Sequence, residues 1–148
     1  MATIKRNASV KWSGSGKEGK GAITTQSGVL SETPYSFSRR FGEEKGTNPE
    51  ELIAAAHAGC FTMALAFQLS GAGHPPEQLD TRADVSLEQV EGGWKIAAVA
   101  LTLKAKVPGL SRDEFSKLAE TAKADCPVSK VLNAAITRTD WKVEMVSV

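Results

Sequence analysis

The sequence predicts an α+β fold with a mainly antiparallel sheet and one long central helix. Three observations carry that expectation. Alternating apolar and polar residues mark strands at both ends of the chain. A long alanine-rich segment with helix start and stop signals lies between them. After it, "DTRADVSLEQVEGGWKIAAVALTLKAKV" reads as a long hairpin.

The elements follow in order. In "TIKRNASVKW", Ile4, Ala8, Val10 and Trp12 share a face that Arg6 interrupts, opposite Lys5, Asn7, Ser9 and Lys11. This is a strand with one wet side. "SGSGKEGKG" is a hairpin loop, and "AITTQSGVL" is a second strand with a turn at Ser27-Gly28. "YSFSRRFG" follows Pro34 and reads as extended up to Gly42. Asn48 is then a good N-cap, and Pro49 suits the first helical position, where its missing N–H costs nothing. Glu50 and Glu51 fall in the first turn, where the helix dipole favours negative charge. The helix runs to the neighbourhood of Ser70 and stops at "GAGHPP", with Leu52, Ala56, Cys60, Met63 and Phe67 as its apolar stripe. Its alanines make it slim, so another backbone can come close.

The hairpin turns at Gly92-Gly93, with Val85 and Leu87 facing one way on the first arm and Val99, Leu101 and Leu103 on the second. Ser111 and Glu114 form a capping box for a second helix, whose stripe is Phe115, Leu118 and Ala122. "CPVSKVLNAA" is a short third helix with Pro127 in its first turn. "TRTDWKVEMVSV" alternates Trp141, Val143 and Met145 against charges and closes the chain as a strand. Residues 1–148 are expected to form a single domain.

The chain has 148 residues, 41% hydrophobic and 24% charged, with a formal net charge of +1. That balance is globular and calls for neither nucleic acid nor an acidic membrane surface as partner. No run of apolar residues reads as long enough to span a bilayer. "MATIKRNASVKW" has no apolar signal core, so a cytoplasmic location is expected, where thiols stay reduced. Cys60 and Cys126 are then not a permanent staple, and they lack the spacing of a zinc site. No metal or cofactor is expected.

Few residues could do chemistry. Cys60, on the apolar stripe, reads by itself as a small buried hydrophobe. Cys126 occupies the N-cap of a short helix, where backbone N–H groups and the dipole stabilise a thiolate. On local physics Cys126 is the better nucleophile. Arg39 and Arg40 are adjacent in a segment read as a strand, so one faces inward and one outward, or both lie solvated on the rim. Glu51 suits a capping role, which leaves Glu50 available for other work. His57 stands three residues before Cys60, an awkward geometry for deprotonating that thiol. His74 reads as a structural loop residue.

"GTNPEELIAAAHAGCF" followed much later by "CPVSKVL" closely resembles the OsmC/Ohr family of thiol peroxidases. "SGVLSETPYSFSRRFG" and "DVSLEQVEGGW" extend the resemblance over nearly the whole chain, toward the OsmC branch (osmotically inducible protein C). That branch is favoured because the arginine precedes the long helix instead of lying in the first hairpin loop. The resemblance implies an OsmC-like fold and a peroxidase that reduces organic hydroperoxides, and hydrogen peroxide less well. Cys60 matches the peroxidatic cysteine and Cys126 the resolving one, which reverses the choice made from local physics. Arg40 matches the active-site arginine and Glu50 the carboxylate. An external dithiol, lipoyl-type by family, would recycle a Cys60–Cys126 disulfide. Osmotic or oxidative stress is the family's inducing condition.

Glu50 and Cys60 are ten residues apart on one helix, so about 15 Å apart along its axis. A second subunit packing its helix antiparallel could bring its own carboxylate to this thiol. An intertwined homodimer is expected, as the resemblance also implies. Two other readings stand beside the peroxidase: a non-catalytic binding protein with an apolar pocket at a dimer interface, and a cysteine hydrolase using His57.

Overall fold

The computed structural model describes residues 2–133 and 138–145. The chain divides into two units, Met1–Pro49 and Glu50–Val148.

The first unit is built on a hairpin. Strands β1 (Ala8–Ser13), β2 (Lys20–Thr25) and β3 (Thr33–Tyr35) form an antiparallel sheet in that order. Trp12 meets Tyr35 edge-on, with ring centroids 5.9 Å apart. The indole lies close over the β1–β2 hairpin because two glycines make room for it. A Cβ on Gly21 would stand 2.6 Å from Trp12 Cε3, and one on Gly19 would stand 2.8 Å from Trp12 Nε1. β1 departs from the expected one-sided strand, since all six of its residues are exposed.

The segment expected to be extended is a helix. α1 (Phe37–Phe41) begins at Ser36, whose side chain accepts from the Arg39 N–H, and ends at Gly42. Capping by serine and an i, i+4 aromatic pair win over the apparent alternation. The Phe37 and Phe41 rings lie 4.8 Å apart. Adjacent residues on a helix do not point to opposite faces, so the strand argument about the two arginines falls away.

The second unit opens with α2 (Pro49–Gly71), which starts and stops close to where its cap and its glycines placed it. β4 (Gln78–Val90) and β5 (Gly93–Lys106) pair antiparallel around the turn residues Glu91 and Gly92, one position earlier than expected. β6 (Arg138–Met145) lies beside β5 but runs parallel to it, so this sheet is mixed. α3 (Arg112–Asp125) has the expected capping box: Ser111 Oγ accepts from the Glu114 N–H at 3.2 Å and donates to its carboxylate at 3.0 Å. α4 (Pro127–Asn133) follows at once. The Trp141 side chain, Ala134, Ala135 and the last three residues of the expected closing strand lie outside the described residues.

The core of this unit joins Phe61, Leu65 and Leu69 of α2 to Leu101 and Leu103 of β5 and Phe115 of α3. Each such burial stabilises the fold by about 1.5–3 kcal/mol. The inward stripe of α2 is therefore His57, Phe61, Leu65 and Leu69, not the expected one. Met63 is 65% exposed and Phe67 73% exposed. The helix is apolar nearly all round, so its periodicity does not select the face that packs. By length and composition it is even long and apolar enough to cross a bilayer, against the expectation of no such run. Here one face of it is committed to the core, with His57 and Glu50 buried among its residues.

Candidate active site

Two free thiols meet in the second unit. Cys60 sits on α2, and Cys126 stands where α3 ends and α4 begins. Their sulfurs are 2.8 Å apart, against about 2.05 Å in a disulfide. Cys126 is fully buried, whereas Cys60 is only partly so.

The local chain explains where Cys126 points. Its carbonyl accepts from the Lys130 N–H at 3.1 Å, the first bond of α4, so Cys126 is the N-cap. Pro127 takes the next position, where no N–H is needed. Ser129 and Val128, in the first turn of α4, are the groups that favour the Cys126 thiolate. Burial pushes the Cys126 thiol up, but contacts from Cys60, from Ser129 and from Val128 outweigh it and leave the thiol below its ordinary value. Cys60 goes the other way. Burial pushes it up, the shared contact with Cys126 adds to that, and the Val128 N–H opposes only in part. Among the described residues this unit gives its first cysteine little help toward a thiolate.

Behind Cys126 lies a polar pair that sequence reasoning missed. His57 Nε2 is 2.8 Å from Ser129 Oγ, and both residues are buried. The imidazole is held below its usual value by burial and by the Lys123 charge, so it is neutral at physiological pH. His57 is a candidate base for Cys60 by sequence, yet its Nε2 is engaged with Ser129. His74 Nδ1 meets the Pro108 carbonyl at 3.3 Å, as suits a loop residue.

The two arginines of the first unit separate by their contacts. Arg39 is tied into the turn after α1: its guanidinium lies 2.8 Å from Glu44, and its Nε donates to the Lys45 carbonyl at 3.1 Å. Arg40 stacks 5.1 Å from the Phe41 ring centre and lines a cleft of about 650 Å³ with Trp12, Tyr35, Phe37 and Phe41. Glu50 is buried in the first turn of α2, while Glu51 is exposed. The structure thus brings Cys60 and Cys126 together. It leaves Glu50 ten residues from Cys60 on the same helix, about 15 Å along the axis. No cluster of metal-ligating side chains occurs among the described residues.

The family profile for OsmC-like proteins matches residues 42–139, which span both cysteine segments. The chain belongs to the OsmC family. The peroxiredoxin OsmC of Escherichia coli (strain K12) is 51% identical over 135 residues, covering 91% of this chain and 94% of that protein. The organic hydroperoxide resistance protein OhrA of Bacillus subtilis (strain 168) is 35% identical over 98 residues, covering 65% and 67%. Among solved structures, an organic hydroperoxide resistance protein OsmC from Legionella pneumophila superposes with a TM-score of 0.74 at 27% identity, covering 97% of this chain and 99% of that one. The OhrB protein of Bacillus subtilis gives 0.69 at 30% identity, covering 95% and 98%. The α+β architecture with its long helix is thus the OsmC fold.

Proposed function

We propose that this OsmC-family protein is a cysteine-based peroxidase that reduces organic hydroperoxides, and hydrogen peroxide less well. The observation that carries the reading is the meeting of two free thiols at 2.8 Å from positions 66 residues apart in the chain. Relatives named for peroxiredoxin activity and for organic hydroperoxide resistance support peroxide detoxification. The thiol pair supports the route.

Cys60 is the attacking group, since it is the half of the pair that solvent reaches. Its thiolate attacks the O–O bond and becomes a sulfenic acid, and the alkoxide leaves as the alcohol after taking a proton. Cys126 then displaces hydroxide from the Cys60 sulfur, giving a disulfide and water. An external dithiol, lipoyl-type by family, returns both thiols by exchange.

Burial works against the Cys60 thiolate, so a cation must come to it. Arg40 is that cation in this reading, because a guanidinium stays charged at physiological pH. Glu50 holds it by a two-pronged ion pair. The aromatic cleft beside Arg40 suits an alkyl or aryl hydroperoxide better than a polar one.

A homodimer completes the site. The second apolar face of α2, from Ala56 and Gly59 to Met63 and Phe67, is exposed, and nothing among the described residues lies within 4 Å of a Cβ placed on Gly59. A second copy packed there antiparallel would bring its carboxylate to this thiol. The enzyme works in the cytoplasm, without nucleic acid or membrane as partner.

The test is intact mass and free-thiol content after one equivalent of cumene hydroperoxide, on reduced protein and on Cys126→Ser. The expected result is loss of two thiols in the parent and a trappable sulfenic acid on Cys60 in the variant. Two untouched thiols would end this reading and favour the ligand-binding one.

A further inference from the structure

Peroxide chemistry engages the two thiols one after the other, but the reduced pair is also a ligand set in its own right. Cys60 Sγ and Cys126 Sγ lie 2.8 Å apart, from residues 66 positions apart in the chain, and both thiols are free. Both belong to the Glu50–Val148 unit. One sits on α2, a helix of 23 residues, and the other ends α3 and caps α4. Cys126 is part of the apolar core with Phe61, Leu65 and Phe115, and Cys60 packs against that core. The helices thus bring the sulfurs together before any ligand arrives, and little ordering cost remains for binding.

Coordination number decides what such a pair can hold. Thiolates favour soft acceptors. A structural zinc site takes four protein ligands, and no group of three or more His, Cys, Asp or Glu side chains is placed to hold a metal among the described residues. A trivalent arsenical needs only two sulfurs, because it carries its third substituent with it.

We propose that the reduced Cys60–Cys126 pair is a two-sulfur binding site for trivalent arsenicals of the type R–As(OH)2, arsenous acid included. Cys60 is partly exposed and Cys126 fully buried, so the arsenical enters at Cys60 and closes inward on Cys126. Each thiol gives up its proton and forms an S–As bond. Each departing hydroxide takes one of those protons, so two waters leave. Arsenic stays trivalent and neither sulfur is oxidised, so the step needs no oxidant or reductant. The second S–As bond is made within one molecule, which raises the overall affinity by about 10²–10⁴-fold over a single thiol. The site does not rest on the peroxidase reading: it needs two thiols within reach, not their roles in a cycle.

The probe is phenylarsine oxide, one equivalent added to the reduced full chain, read by intact mass and free-thiol content. The expected product is heavier by one phenylarsine oxide less one water and has lost both free thiols. It should survive excess glutathione, a monothiol, and be reversed by excess dithiothreitol, a dithiol. Because it ties together positions 66 residues apart, Tm should rise by about 10 °C. Cys60→Ser and Cys126→Ser each leave one sulfur. Each should bind the probe about 10²–10⁴-fold more weakly and lose it to glutathione. Unchanged free thiols in the parent would overturn the proposal, and so would a single-cysteine variant that holds the probe as tightly as the parent. If one variant does not fold, the other decides. A parent that takes up the arsenical but consumes no cumene hydroperoxide would leave this site standing and sink the peroxidase. One that loses both thiols to hydroperoxide but none to the arsenical would do the reverse.

Discussion

Cys60 and Cys126 are the same chemical group set 2.8 Å apart in opposite surroundings. Cys126 is fully buried, yet it caps a helix, and Ser129 and Val128 favour its thiolate. Cys60 is partly exposed and is pushed up by burial, with one N–H group in its favour. The chain has thus built support for the thiol that a substrate cannot reach. In the proposed reading the reachable one depends on a cation from elsewhere. That asymmetry is why local physics and the family resemblance choose different sulfurs as first attacker: local physics ranks acidity and cannot rank access.

The largest expected effect breaks the comparison outright. Cys60→Ser should drop hydroperoxide consumption to the buffer background, since a hydroxyl is no nucleophile here. Cys126→Ser should consume one equivalent and stop. The reverse pattern would exchange the two roles. Next, Arg40→Gln should slow Cys60 oxidation at neutral pH by about ten- to hundredfold, the loss of a charge-assisted contact of about 1.5–3 kcal/mol. The sign with pH follows from the raised thiol. Only the thiolate reacts, so the rate rises with pH up to the thiol's own value. The variant's deficit is therefore greatest at neutral pH and shrinks in alkali. Arg39→Gln, by contrast, should leave that rate within about twofold, because surface ion pairs such as its bond to Glu44 contribute little beyond local stability.

A third change sharpens the comparison at the level of assembly. Met63→Glu places a charge on the open face of α2 and should turn a dimer into monomers in sedimentation, with loss of activity. The smallest effect is a control on Cys126 itself. Ser111→Ala removes the cap at the far end of α3 and should cost about 1 kcal/mol, or about 2–4 °C in Tm. The rate of Cys60 oxidation should not move.

Much of this molecule was legible in its residues. Asn48-Pro49, the Ser111–Glu114 box and Cys126-Pro127 each placed a helix start, because capping is a local affair. α1 was misread because five residues with an alternating look also carry a serine cap and an i, i+4 aromatic pair. The packed face of α2 was not legible, since a helix apolar all round carries no preferred stripe. The parallel pairing of β6 with β5 is a matter of strand direction, which side-chain alternation does not record. The site divides the same way. Cys60, Cys126, Arg40 and Glu50 entered through motifs. Ser129 did not, although a serine three residues after a capping cysteine is a signal that could have pointed to it. Its partner His57 lies 72 residues away, and no local pattern announces that meeting.

In the proposed cycle the unequal burial of the two sulfurs would also set the direction in which a closed bond between them opens. A thiol arriving from solvent would meet Cys60 and make its mixed disulfide there, with Cys126 as the leaving group. A leaving thiol departs faster when its thiolate is well supported. What favours the Cys126 thiolate would therefore serve that cycle twice, once when the sulfur attacks and once when it is expelled.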